Sequence, residues 1–235
     1  MAGPAGTVQP VLDRDYPTPT VWTKLRARAI QEGGDLLGAA YDLAKGVGAI
    51  GWTSRRAKAF GSFGQGSLIC FPLDTLVNPQ AIHLGSGTMV AQHAVLSAGW
   101  MPDQPNLDPE VIRIGDRSLI GRGSTVVGHT SIVIGDDVWT GHNVHITDMN
   151  HNYEDLDTPI GRQWMEPEPV VIGDGAWLGH GTVVLPGARI GRHTVVGANS
   201  VVTGELPDRC VAVGAPAKVV RQYVEGRGWV AAKDL

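Results

Sequence analysis

Ile172-Gly173-Asp174-Gly175-Ala176-Trp177-Leu178-Gly179-His180-Gly181-Thr182-Val183-Val184-Leu185-Pro186-Gly187-Ala188-Arg189-Ile190-Gly191 decides the fold. Aliphatic residues stand at Ile172, Leu178, Val184 and Ile190, and the same step of six continues to Val196 and Val202. A helix repeats a face every 3.6 residues and cannot carry this period. A strand, with period two, can carry it locally. Glycine follows the aliphatic residue in eight of the twelve hexads that begin at Ile114. Each strand therefore ends after about four residues, because glycine favours a corner. The economical solution is a flat strand, a corner, and the next strand. Three sides close a coil of about 18 residues that stacks on its neighbour by parallel pairing, with the aliphatic residues inward in columns.

Working outward, Leu84, Val90 and Leu96 keep the step of six, as do Ile114, Ile120 and Val126. The second set lies 18 beyond the first, so residues 100–110, with Pro102, Pro105 and Pro109, read as an inserted loop in register. Val126 to Ile134 is eight, a small offset. Ile146 to Ile172 is 26, which is not a multiple of six. That gap opens with Thr147-Asp148-Met149-Asn150-His151-Asn152 and predicts a loop over 147–170. The repeat spans 61–211. Before it, 1–20 reads as a flexible lead and 21–60 as helical, divided into two helices at Gly33-Gly34 because glycine costs roughly 1 kcal/mol against alanine in a helix. A tail, 212–235, follows and is expected to hold a short helix.

The 235 residues suffice for one large domain. A net charge of -4 argues against nucleic acid, which needs a concentrated basic surface. No segment approaches the roughly 18 apolar residues of a membrane span, and the Pro- and Gly-rich start has no signal-peptide core. Cys70 and Cys210 form no framework and read as thiols in a reducing compartment, which predicts a cytoplasmic protein.

The stretch from Ile172 to Thr203, followed by Val213-Gly214-Ala215-Pro216-Ala217-Lys218-Val219-Val220-Arg221, resembles the hexapeptide-repeat acyltransferases, in their galactoside, maltose and polysaccharide O-acetyltransferase branch. The resemblance covers roughly 65–221. It implies an all-β left-handed parallel β-helix, the hand coming from the family alone. It also implies a homotrimer with sites between neighbouring chains, and acetyl-CoA as co-substrate. The family's catalytic histidine lies 17 residues beyond the start of an Ile-Gly-Asp hexad, and that count from Ile134 reaches His151. By register Trp177, Gly179, His180, Ala198, Thr203, Lys218 and Arg221 fall on the coenzyme A groove. Gly204 stands where relatives often place a lysine, and Gly121 where some place an asparagine that assists the acceptor.

The chemistry needs little machinery. A sugar hydroxyl becomes nucleophilic once a base takes its proton, and imidazole, with an unperturbed pKa near ~6.5, suits that task at neutral pH. A backbone N–H, as in the turn Leu178-Gly179-His180, can hold the developing oxyanion for about 3 kcal/mol. The sequence has no Gly-x-Ser-x-Gly elbow. Asp148, three residues before His151, is placed to fix the imidazole tautomer. Asn150, Tyr153 and Asp155 are candidates to meet a saccharide acceptor. Lys218 and Arg221 suit phosphate. Two other readings stay open: a zinc hydratase on the same fold, drawing on His142, His145, His151, His180 and His193, and a non-catalytic trimeric binding protein. No metal-ligand spacing is evident.

Overall fold

The computed structural model describes residues 20–234. The lead assigned to 1–20 lies outside them except for Thr20. Contacts divide the chain into two units, Met1–Leu43 and Ala44–Leu235. The described part of the first is helical. One helix, Val21–Gly48, runs without a break through Gly33-Gly34 and on into the second unit, which corrects the expectation of two helices. Thr20 opens it by accepting the Lys24 N–H at 3.0 Å. No residue of this helix is buried.

The second unit is a left-handed parallel β-helix with three faces. The faces hold ten, six and seven strands. Successive coils pair in register: Ile132 with Ile112 and Val170, Trp139 with Leu119 and Trp177, Ile146 with Val126 and Val184. The aliphatic member of each hexad points inward. Ile114, Ile120, Val126, Ile134, Ile146, Ile172, Leu178, Val184, Val196 and Val202 are all 0–1% exposed. Each such side chain contributes about 2 kcal/mol of apolar burial. Thr140 is the polar exception in this column, and its hydroxyl accepts the Gly121 N–H at 2.8 Å.

The hexad's other positions have equally local reasons. The small residue two before each aliphatic is often a buried hydroxyl that stitches coils together. Ser118 Oγ donates to the Gly135 carbonyl (2.9 Å) and accepts the Val138 N–H (3.0 Å). Ser124 accepts the Val144 N–H and Ser200 the Gly214 N–H in the same way. S118A orphans a part-buried carbonyl and a buried amide. It should cost about 1–3 kcal/mol, and a melting temperature unchanged within error would refute the stitching role. The aspartate of Ile-Gly-Asp caps the coil before it. Asp136 Oδ1 accepts the Asp116 N–H (2.8 Å), and Asp174 Oδ1 accepts the Asp136 N–H (3.0 Å). Glycine precedes this aspartate because a Cβ on Gly135 would lie 2.3 Å from Asp174 Oδ1.

Both ends of the ten-stranded face are closed by antiparallel strands. Ile50–Gly51 pairs with Leu68–Ile69 at one end. At the other, Lys218–Val224 turns back on Cys210–Val213, and Gly228–Ala231 follows. The tail is thus a β-hairpin ending in one 3-10 turn, Ala232–Asp234, rather than a helix. Alternating Val219, Arg221 and Tyr223 suit a strand, and the open edge of the last coil supplies the partner. No described helix is long and apolar enough to cross a membrane.

Between Leu84 and Val202 the three departures from the step of six all fall on one corner, where the chain passes from the six- to the seven-stranded face. Residues 99–110 leave after Val95–Ala98 and return in register at Ile112–Ile114. The two extra residues lie after Thr125–Gly128, and the long loop leaves after His145–Thr147. Ile172 pairs with Ile134, so the coil closes as though nothing had been inserted.

Candidate active site

The insertion corner is built around Asp148, which is fully buried. Its carboxylate accepts the N–H groups of His129 (2.8 Å), Thr130 (2.8 Å) and Ser131 (2.9 Å), and faces His129 Nδ1 at 3.1 Å. Burial by itself raises the carboxyl's pKa. The His129 side chain and the three amides outweigh it and leave the group below its ordinary value. The two-residue offset after Val126 thus makes an amide nest for a buried anion.

Asp148 is therefore not the partner of His151, contrary to the sequence expectation. His151 Nδ1 instead faces the carbonyl oxygen of Gln163 at 3.3 Å. A carbonyl can only accept, so Nδ1 carries a proton, and in the neutral imidazole Nε2 holds the lone pair. The strand-like bridge between His151 and Trp164, with the Asn152 N–H donated to the Gln163 carbonyl (2.9 Å), holds this geometry. Gln163 also ties the loop with its side chain. Nε2 donates to the carbonyls of Asp155 (2.7 Å) and Thr158 (2.6 Å), and Oε1 accepts the Asp155 N–H (3.1 Å). His151 is exposed. The histidine is thus held in one orientation on a tied loop with its free nitrogen available.

Aromatic rings connect these two anchors. Trp100, from the first insertion, packs on His129 with ring centroids 4.6 Å apart. Trp164 meets Trp100 edge-on at 5.3 Å and lies 4.7 Å from His151. The sequence reading missed Trp100, His129, Gln163 and Trp164. The available signal was that three register offsets, counted in hexads, all fall at the same one of the three corners.

Of the acceptor candidates, Tyr153 is exposed and its hydroxyl is uncommitted among the described residues. Asn150 accepts the Met165 N–H with its backbone carbonyl (3.4 Å). Asp155 accepts the Asp157 N–H (2.9 Å), and a hydrogen bond from the Thr158 side chain, with that amide, lowers its pKa. Asp155 thus shapes the loop's own turn. At Gly121 a Cβ would sit 2.0 Å from the Gly141 carbonyl oxygen, so no side chain fits there.

The donor candidates lie elsewhere. Trp177 stands half exposed on the ten-stranded face. His180 and Ala198 stack at the corner between that face and the six-stranded one, where His142 and His180 approach edge-on at 6.5 Å. Gly179 donates its N–H to the Val196 carbonyl (2.8 Å) and has none to spare. The His180 N–H, next in the chain, has no acceptor among the described residues. Lys218 and Arg221 are exposed on the hairpin without an ion pair among the described residues. Thr203 stands apart from these, at the insertion corner beside Gly204. Burial lowers the pKa of His145, which faces Thr125 Oγ1 at 2.5 Å on the six-stranded face. Among the described residues no three His, Cys, Asp or Glu side chains converge as a metal site.

Comparison with known proteins places the repeat among others. Residues 169–204 match the bacterial transferase hexapeptide family (six repeats), and 111–148 match the hexapeptide repeat of succinyl-transferase. The chain is 41% identical over 110 residues to a probable acetyltransferase of Mycobacterium tuberculosis, covering 47% of this chain and 37% of that one. It is 42% identical over 120 residues to a putative lipopolysaccharide biosynthesis O-acetyl transferase of Escherichia coli, covering 48% and 61%. A galactoside O-acetyltransferase of Lactococcus lactis is 41% identical over 121 residues, covering 52% and 58%. The chain thus spans between 37% and 61% of the length of these relatives. Among solved structures, an N-acyltransferase from Bacillus cereus in complex with dTDP and coenzyme A superposes with TM-score 0.61 at 18% identity, covering 75% of this chain and 93% of that one. That likeness concerns the fold.

Proposed function

We propose that this chain, whose repeat is similar to that of the hexapeptide transferases, transfers an acetyl group from acetyl-CoA to a hydroxyl of a saccharide acceptor, with His151 as general base. The observation that carries this reading is the His151 Nδ1 contact to the Gln163 carbonyl, which in the neutral imidazole puts the lone pair on Nε2, on an exposed loop. The relatives' printed activities, O-acetyl transfer in lipopolysaccharide biosynthesis and to galactosides, point to the acceptor class.

Acetyl-CoA supplies an activated thioester whose thiolate departs. His151 Nε2 takes the acceptor's proton as the hydroxyl oxygen attacks the thioester carbonyl, and the imidazolium returns that proton to the departing thiolate. No covalent acyl-enzyme is needed. The oxyanion that develops is held by the free N–H of His180, in place of the committed Gly179. Trp177 and Ala198 border the donor's arm, and the unpaired cations Lys218 and Arg221 suit its phosphates.

These groups do not meet within one chain. His151 and Thr203 stand at one edge of the six-stranded face, His180 and Ala198 at the other. A second copy must bring the two halves together, which accords with a homotrimer. The ten-stranded face offers the surface: its outward column runs through Leu68, Met89, Trp139 and Trp177, each 37–58% exposed. Such a run of exposed apolar side chains marks an interface. A coenzyme A donor, with Cys70 and Cys210 as free thiols, fits the cytoplasm.

A crystal soaked with coenzyme A tests the groove. Ligand lying along Trp177 and the His180 corner, with its phosphates on Lys218 and Arg221, is expected. K218A with R221A should then raise the acetyl-CoA KM by about 10-fold or more, since charge-assisted contacts are worth about 1.5–3 kcal/mol. Ligand bound elsewhere would overturn the assignment.

A further inference from the structure

The two half-exposed tryptophans beside the base have no task in the mechanism above. Trp100 is 44% exposed and Trp164 is 57% exposed. Large aromatic side chains left open normally cover apolar surface or receive it. This pair is also rooted. Trp100 rests on His129, and His129 is pinned by the buried Asp148, while Trp164 is bridged to His151 and follows Gln163, which ties its loop. The rings are therefore a built wall ending within 5 Å of the histidine ring. Two separate insertions, each departing from an otherwise strict repeat, supply one tryptophan apiece.

The charge on the two loops is strongly net negative. Residues 99–110 carry Asp103, Asp108 and Glu110 and no lysine or arginine. Residues 148–168 carry six carboxylates against Arg162 alone. Glu110 is neutralised by Arg113 and Asp148 by its buried nest, which leaves seven acidic groups and one basic group on the two loops. A field of that sign repels an anionic substrate, and salt screens the repulsion.

We infer that Trp100 and Trp164 form the acceptor wall of this site, selecting an uncharged pyranoside that stacks its C–H face on the indoles and turns a hydroxyl toward His151. A pyranose suits such a surface because its ring presents axial C–H bonds on a face and hydroxyls around the rim. An open-chain polyol has the same hydroxyls without the face. A uronic acid has the face together with a carboxylate that the loops disfavour. This inference rests on His151 being the base of a coenzyme A-dependent transfer.

The test follows thiol release from acetyl-CoA with the full chain. The acceptors are methyl β-D-gluco- and galactopyranoside, methyl β-D-glucuronoside and sorbitol. The expected result is that at least one neutral pyranoside exceeds both the glucuronoside and sorbitol in kcat/KM by about 10-fold, a difference of about 1.4 kcal/mol. The gap to the glucuronoside should shrink as salt is raised. W164A should raise the pyranoside KM by about 10-fold without moving the acetyl-CoA KM, whereas W164F, which keeps a ring, should retain most of the affinity. Equal use of pyranosides and sorbitol, or a W164A defect confined to kcat, overturns the wall and leaves the transferase standing. Absence of thiol release with every acceptor removes the transfer to pyranosides and the wall together.

Discussion

H151A loses acetyl transfer by about 100- to 10,000-fold in kcat, the usual contribution of a positioned general base, while its melting temperature stays near that of the unmodified protein. The stability half of this expectation follows from exposure. The side chain fills no core, and its one hydrogen bond is to a backbone carbonyl that also receives the Asn152 N–H. The activity half follows from Nε2 being the nitrogen left free. Thiol release with a saccharide acceptor measures the first, and thermal unfolding the second. Because the base acts on the acceptor, the acetyl-CoA KM should change little. Turnover within a few-fold of the unmodified protein would remove His151 from the mechanism. A fall in activity matched by a large loss of stability would make the loop contact structural. Loosening the tie from beneath is a gentler version. Q163A removes the side-chain bonds to Asp155 and Thr158 but keeps the carbonyl, so it should lower kcat by a smaller factor than H151A.

D148A shows the reverse pattern. Removing the carboxylate leaves the amides of His129, Thr130 and Ser131 without an acceptor in a buried nest. The cost should be about 3–5 kcal/mol, which for a chain of this size lowers the melting temperature by roughly 10 °C. D148N should come close to it, because an amide nitrogen would point a donor at donors. The pH dependence has a definite sign. The folded carboxyl's pKa is lowered, so its stabilisation is complete above the ordinary aspartate value near ~3.9 and is lost as pH falls through the folded value. D148N should therefore differ most from the unmodified protein near neutrality and converge with it in acid. Assayed well below its melting temperature, it should keep activity within about 10-fold, because it touches His129 rather than His151. A loss as deep as that of H151A in a folded D148N protein would restore Asp148 to the chemistry.

Asp148 shows where reading the chain stops. Three residues from His151 in sequence, it is a natural partner for the imidazole. Nearness along a chain says nothing about direction, however, and at a β-helix corner the neighbouring coil is closer than the next turn of the same loop. The nest that takes Asp148 comes from residues 129–131, almost 20 positions earlier. Gln163 was invisible for a related reason: it acts on His151 through a backbone carbonyl, which every residue has. Trp100 and Trp164 lie 64 positions apart and meet because two insertions leave from one corner.

The sequence alone determined the coil, its register and the exit of the loop bearing His151. Each of these depends on a period of six, and most hexads bury one aliphatic and bend at one glycine through interactions within themselves or with a similar neighbour. A local rule repeated many times is legible without coordinates. Only the tertiary structure decided which groups surround His151, that the helix runs unbroken past Gly33-Gly34, that the tail is a hairpin, and that His151 stands on the opposite edge of one face from His180 and Ala198. Those outcomes depend on contacts between segments far apart in the chain, whose relative placement is set by stacking of whole coils and leaves no periodic trace in the residues themselves.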